Sequence, residues 1–77
     1  MFIEVGENDK THINVYEIAF ISSIFGNSNF LKYIVSLKNG KEITFYENMK
    51  NERNYYPRKK LIKKINKCVY VEGEENE

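Results

Sequence analysis

Tryptophan is absent from this chain, and cysteine, histidine and proline occur once each, as Cys68, His12 and Pro57. A lone cysteine excludes an intrachain disulfide, and a single histidine leaves no Cys/His set at metal-ligand spacing. The chain is therefore expected to need no metal or other cofactor and to work in a reducing, cytoplasmic setting. No apolar run approaches the ~20 residues of a membrane-spanning helix. The opening MFIEVGENDK has neither the basic start nor the long apolar stretch of a secretion signal, so no membrane association is expected. The four glycines, Gly6, Gly26, Gly40 and Gly73, stand singly in polar surroundings. This excludes the G-x-G-x-x-G and G-x-x-x-x-G-K-[ST] loops that cradle phosphates.

Catalytic groups are equally sparse. His12 sits beside a polar turn and reads as a solvated side chain. Cys68 reads as a small buried residue; as a nucleophile it would need a positive environment to lower its thiol pKa, and only Lys64 and Lys67 lie nearby in sequence. Glu42 and Glu47 fall on or beside one strand, with nothing that pairs them across a pocket. An enzyme is not expected.

What the sequence does contain is a small globular domain. In 77 residues with a hydrophobic fraction of 42% and an aromatic fraction of 14%, phenylalanine and tyrosine must supply most of the large-area burial. The clearest local signal is Phe30 to Tyr46, FLKYIVSLKNGKEITFY, two alternating runs joined by Asn39-Gly40, which predicts a β-hairpin. A two-residue loop would pair residues whose numbers sum to 79 and leave both faces half polar. A three-residue loop, Lys38-Asn39-Gly40, with Gly40 in the left-handed region as a bulge, pairs residues summing to 78. That register separates the faces: Leu31, Tyr33, Val35 and Leu37 with Ile43 and Phe45 on one, and Lys32, Ile34 and Ser36 with Glu42, Thr44 and Tyr46 on the other. Because a one-residue slip exchanges the faces, burial selects the bulged register.

The remaining elements follow from alternation and breakers. Phe2 to Val5 and His12 to Val15 alternate and predict strands, separated by the polar turn Gly6-Glu7-Asn8-Asp9. Tyr16 to Ala19 reads as one helical turn, and Phe20 to Phe25 (FISSIF) as a strand pairing antiparallel with Phe30 to Lys38. The competing reading, a helix over Val15 to Ile24, fits the apolar spacing, but the composition is β-branched and aromatic and favours strand, turn, strand. Glu47 to Asn54 is a loop. Pro57 suits a first helical position, with Asn54 or Tyr56 as the cap, and opens an amphipathic helix over Arg58 to Lys67 whose apolar stripe is Leu61, Ile62 and Ile65. Cys68 to Val71 (CVYV) predicts a last strand, and Glu72 to Glu77 an acidic flexible tail after a single domain of residues 1–71. The expected class is α+β: a small antiparallel β-sheet or half-open barrel of about five to six short strands with one amphipathic helix near the C-terminus.

The order EIAFISSI, YIVSLKNGKEITF and a lysine-rich helix resembles the sheet-hairpin-helix pattern of FlbD-type flagellar proteins over about half the chain. The insertion Glu47 to Tyr56 departs from that pattern, and the resemblance implies no site residue or activity. The richness in Asn, Lys and Ile, the small size and the lack of catalytic motifs are similar to small phage or mobile-element proteins of low-GC bacteria, many of which inhibit host machinery.

Charge is the main functional clue. Lys50 to Lys67 carries eight basic residues against Glu52 alone, a local +7, and the remainder of the chain is −6. Such polarity governs association and orientation more than fold. The expected partner-binding residues are Lys50, Arg53, Tyr55, Tyr56, Arg58, Lys59, Lys60, Lys63 and Lys64. The expected function is that of a non-catalytic interaction protein of phage or mobile-element type, an inhibitor that binds and blocks a host protein or ribonucleoprotein complex, such as a CRISPR effector. The alternative is a small nucleic-acid-binding protein using the basic tyrosine-rich segment 50–67 directly. A homodimer through an edge strand, Phe2 to Val5 or Cys68 to Val71, is a third expectation.

Overall fold

The computed structural model describes residues 1–75, with side chains through Cys68. The chain runs β1 (Phe2–Val5), β2 (Thr11–Asn14), a 3₁₀ turn (Val15–Glu17), β3 (Ile18–Ile21), β4 (Phe25–Gly26), β5 (Leu31–Leu37), β6 (Glu42–Tyr46) and α1 (Arg58–Glu75). It is an α+β fold of small antiparallel sheets with one helix, and the sheets do not close into a barrel.

β5 and β6 form the expected hairpin in the expected register. Tyr33 pairs with Phe45, Ile34 with Thr44 and Val35 with Ile43. The loop is closed by Leu37 N–H donating to Lys41 O at 2.8 Å and Gly40 N–H donating to Leu37 O at 2.9 Å. Gly40 takes φ +89°, the left-handed conformation that closes a bulged three-residue loop and that other residues adopt only with strain. Asn39 Oδ1 accepts from Lys41 N–H at 2.9 Å and completes the turn.

On the other side of β5 the expected strand FISSIF is present in two pieces. Ile18 pairs with Leu37, then a bulge at Ala19 shifts the register so that Phe20 pairs with Ser36 and Ile21 with Val35. A second irregularity follows at Ser22 to Ile24, after which Phe25 pairs with Lys32. At the break, Ile34 N–H donates to the Ser22 hydroxyl instead of to a strand carbonyl, at 2.8 Å. The Ser22 carbonyl is thereby freed, and the Arg58 guanidinium donates to it at 2.7 Å. The helix alternative for residues 15–24 is not what forms: the β-branched run keeps its backbone bonds to β5, and only Val15 to Glu17 turns helically.

β1 and β2 make a separate two-stranded sheet, with Ile3 opposite Ile13 and Val5 opposite Thr11. The strand expected over His12 to Val15 starts one residue earlier and ends before Val15, because the Asn14 side chain accepts from Tyr16 N–H and opens the 3₁₀ turn. At the β1–β2 turn Gly6 has φ +104°, and a Cβ there would lie 2.0 Å from Asp9 O, so the turn requires glycine.

The core lies between these sheets and the helix. Ile3, Val5 and Ile13 come from β1–β2, Tyr33, Val35 and Phe45 from the inner face of the hairpin, Tyr56 from the loop after β6 and Leu61 from α1. Tyr33, Phe45 and Tyr56 stack in sequence with ring centroids 5.6 and 6.0 Å apart, in the tilted geometry aromatic pairs favour. The opposite, outer face of the hairpin sheet carries no covering element among the described residues, and Phe20 there is 60% exposed.

Two corrections concern the C-terminal third. Cys68 to Val71 is not a strand: α1 continues unbroken to Glu75. Strand-favouring composition loses because no proline or glycine intervenes before Gly73, propagation of a nucleated helix is easy, and Cys68 continues the buried stripe Leu61 and Ile65. The acidic-tail expectation for 72–77 meets a helix through Glu75, and residues 76–77 lie outside those described. The second correction is the helix cap. Neither Asn54 nor Tyr56 serves; Glu47 Oε1 accepts from Arg58 N–H at 2.8 Å, while the Pro57 carbonyl accepts from Leu61 N–H at 3.3 Å.

Candidate interaction surface

Helix α1 lies with Leu61 fully buried and Ile65 and Cys68 half-buried against the sheets, so its remaining faces are set by the 100° step per residue. Lys60 and Lys64 fall on the flank toward β1, and Lys67 lies between that flank and the ridge away from the core. Lys59 and Lys63 lie on the ridge away from the core, and Arg58 and Ile62 on the flank toward the β3–β4 break. Lys63 borders clefts on both flanks. One cleft is walled by Glu4, Gly6, Glu7, Lys10 and Tyr56 together with Lys60, Lys63, Lys64 and Lys67. The other is bounded by Ile24, Glu47, Arg58, Lys59, Ile62, Lys63 and Asn66.

The nine residues expected to bind a partner have quite different fates. Tyr56 is 5% exposed and belongs to the core, where burial pushes its phenol above the ordinary tyrosine range. Its carbonyl accepts the buried Tyr33 hydroxyl at 2.6 Å. Tyr33 in turn is raised well above the normal value, first by burial and then by the neighbouring Glu47 and Tyr56, with Arg58 opposing. Arg58 is half-buried and holds the Ser22 carbonyl at the strand break. Tyr55 is half-buried and bridges to Tyr46, with its carbonyl accepting from Glu7 N–H at 3.1 Å. These three are structural positions.

The basic segment is also partly neutralised from within. Residues 47–56 pack against the acidic turn between β1 and β2: Asn8 Nδ2 donates to the carbonyls of Lys50 and Glu52, and Asp9 N–H to Arg53 O. Arg53 pairs with Asp9 at 2.8 Å, both side chains largely exposed. Lys60 pairs with Glu7; their hydrogen bond holds the Glu7 carboxyl below its usual range and raises Lys60. Lys64 Nζ donates to the Glu4 carbonyl. The cations in the first helical turn, which a macrodipole disfavours, are thus relieved by Glu47 at the cap and Glu7 beside Lys60, two carboxylates far away in sequence.

What remains available is narrower than the +7 window. Among the described residues Lys59, Lys63 and Lys67 are exposed with no ion pair or hydrogen bond. They recur at i, i+4 and i+8 over about 12 Å of helix, with Lys50 exposed on the preceding loop. Lys67 was not among the residues expected at the site, although its spacing from Lys59 and Lys63 was legible; Lys10 joins the β1-side cleft only through tertiary contact.

Comparison with known proteins finds no matching family model, curated protein or solved structure. The likeness to FlbD-type proteins therefore rests on the order of elements alone. No group of His, Cys, Asp and Glu among the described residues has the arrangement of a metal site, and no described helix is long and apolar enough to cross a membrane.

Proposed function

We propose that this chain is a non-catalytic interaction protein that docks through the lysine ridge of α1 on an acidic surface of a host protein or ribonucleoprotein complex. The observation that supports this is the division of labour among the cations: Arg53, Arg58, Lys60 and Lys64 are engaged within the fold, while Lys59, Lys63 and Lys67 stand in register on a rigid helix with no internal partner described. Such a row presents charge at fixed spacing without an entropy cost for ordering the backbone on binding. A mobile-element inhibitor of a nucleic-acid-handling complex, such as a CRISPR effector, fits this surface, because a cationic ridge can occupy acidic ground on that complex or compete for its nucleic acid.

The test is affinity capture from a low-GC bacterial lysate with the wild type and with a Lys59→Glu/Lys63→Glu/Lys67→Glu variant. Stoichiometric recovery of a protein or ribonucleoprotein by the wild type, lost in the variant, is expected. Absence of any stoichiometric protein at low salt refutes the reading.

A second reading is favoured by the cleft beside β1, where Lys10, Lys60, Lys63, Lys64 and Lys67 outnumber Glu4 and Glu7: direct nucleic-acid binding. It requires a log–log salt dependence with a slope of about −0.7 per neutralised phosphate on single strands or −0.9 on duplex. Fluorescence anisotropy showing no binding of a labelled oligonucleotide at low salt dismisses it.

A further inference from the structure

We propose that two copies of this chain pair face to face through the outer face of the hairpin sheet, about a two-fold axis lying in the interface and running across the strands. Residues paired in an antiparallel ladder point to the same face, so the observed registers place Phe20, Ser36 and Glu42 in one row of this face. Phe25, Lys32 and Tyr46 form a second row, with Ile34 and Thr44 between them. The two outer rows are four residues apart along β5, about 14 Å.

This face is self-complementary. The proposed axis reverses the strand direction and exchanges the two outer rows while keeping each strand over its own copy. Phe20 on β3 then meets the partner's Phe25 on β4, Lys32 on β5 comes beside the partner's Glu42, and Ile34 sits on the partner's Ile34. The Phe20–Phe25 and Lys32–Glu42 contacts each occur twice and the Ile34 contact lies once on the axis, as an isologous interface requires. The alternative axis, along β5, stacks Lys32 on the partner's Lys32 and sets Glu42 over the partner's Phe20, and is disfavoured by like charge and by the loss of the opposite-charge contact. Phe20 and Phe25 are 60% and 42% exposed, large apolar surface that a small domain gains by covering. Lys32 stands 5.7 Å over the Phe25 ring, which keeps its charge at the Phe25 end of the face. Among the described residues Glu42 has no ion-pair partner. Two aligned sheets packed ~10 Å apart allow these side chains to meet.

A face of three short strands is small for an interface, so the dimer is weak and concentration-dependent. Sedimentation equilibrium on the full chain, from about 10 μM to about 1 mM, is the direct test. The wild type is expected to move from the monomer mass toward twice that mass. Phe20→Ser, Lys32→Glu and Glu42→Lys should each weaken association about tenfold or more, and the Lys32→Glu/Glu42→Lys double variant should recover it. Far-UV circular dichroism confirms that each variant is folded. The Lys59→Glu/Lys63→Glu/Lys67→Glu variant should dimerise as the wild type does, which separates this surface from the lysine ridge. Monomer mass throughout the range overturns the proposal. So does a dimer indifferent to Phe20→Ser and to both charge reversals, the result expected of pairing through the β1 edge. Failure of the double variant to recover overturns the axis.

Discussion

Tyr33→Phe is the most informative single perturbation of this fold. The ring is fully buried and is retained, so packing changes little; what is lost is the hydroxyl that donates to Tyr56 O at 2.6 Å. The Tyr56 carbonyl would then be left without its described donor inside the core. Losing the bond and stranding a buried acceptor costs about 2 kcal/mol at pH 7. The same hydroxyl carries a pH signature. Burial raises the Tyr33 pKa in the folded chain, so at alkaline pH the folded state keeps a proton that the unfolded state has released. The stability this group contributes is whole below the unfolded value of ~10 and is lost as pH rises toward the folded value, about 1.4 kcal/mol by one unit above it. Phenylalanine has nothing to titrate. The wild-type advantage should therefore shrink from about 2 kcal/mol at pH 7 to about 0.6 kcal/mol at pH 11. Urea denaturation followed by circular dichroism at both pH values measures this, and the other tyrosines and the lysines cancel in the difference. Equal stability at pH 7, or a gap that stays constant or widens with pH, would refute the reasoning.

Substitutions at four other positions test the fold. Gly40→Val meets no atom within 4 Å but must adopt φ +89°, so it should lower stability by about 1–3 kcal/mol through backbone strain alone; an unchanged urea midpoint would show that the loop had re-formed as another turn. Val35 is fully buried and Ile34 half-buried, so at concentrations where the chain is monomeric Val35→Ala should cost about 2 kcal/mol and Ile34→Ala about 1 kcal/mol, the reverse of their side-chain sizes. Glu47→Ala removes the acceptor for Arg58 N–H and should cost about 1 kcal/mol, with a drop in helical circular dichroism. Glu47→Gln, which keeps an acceptor, should cost less.

The sequence by itself determined the elements whose periodicity and turn chemistry agree. Alternation over Leu31 to Leu37 and from Ile43 to Phe45 was enough to choose the bulged register, because a slip of one would have put Ile43 and Phe45 on the face opposite Tyr33 and Val35 and left both faces half polar. The strands at Phe2–Val5 and around Ile13 followed from the same alternation, the strand around Phe20 from its β-branched and aromatic composition, and the helix from Pro57 and the spacing of Leu61 and Ile65. Tertiary structure decided whatever depended on residues distant in sequence. It carried the helix through Cys68 to Val71 against their strand preference, since a stripe packed on the core outweighs local propensity. It divided FISSIF at Ser22, where a side-chain hydroxyl took over a ladder bond and released a carbonyl to Arg58. Above all it sorted the cations. A charge count treats Arg53, Arg58, Lys59, Lys60 and Lys63 alike, but the acidic turn at Glu7 and Asp9, the cap at Glu47 and the carbonyls of Ser22 and Glu4 are brought to some of them by folding alone. Which lysines stay available is therefore a property of three-dimensional pairing, invisible in a linear tally of charge.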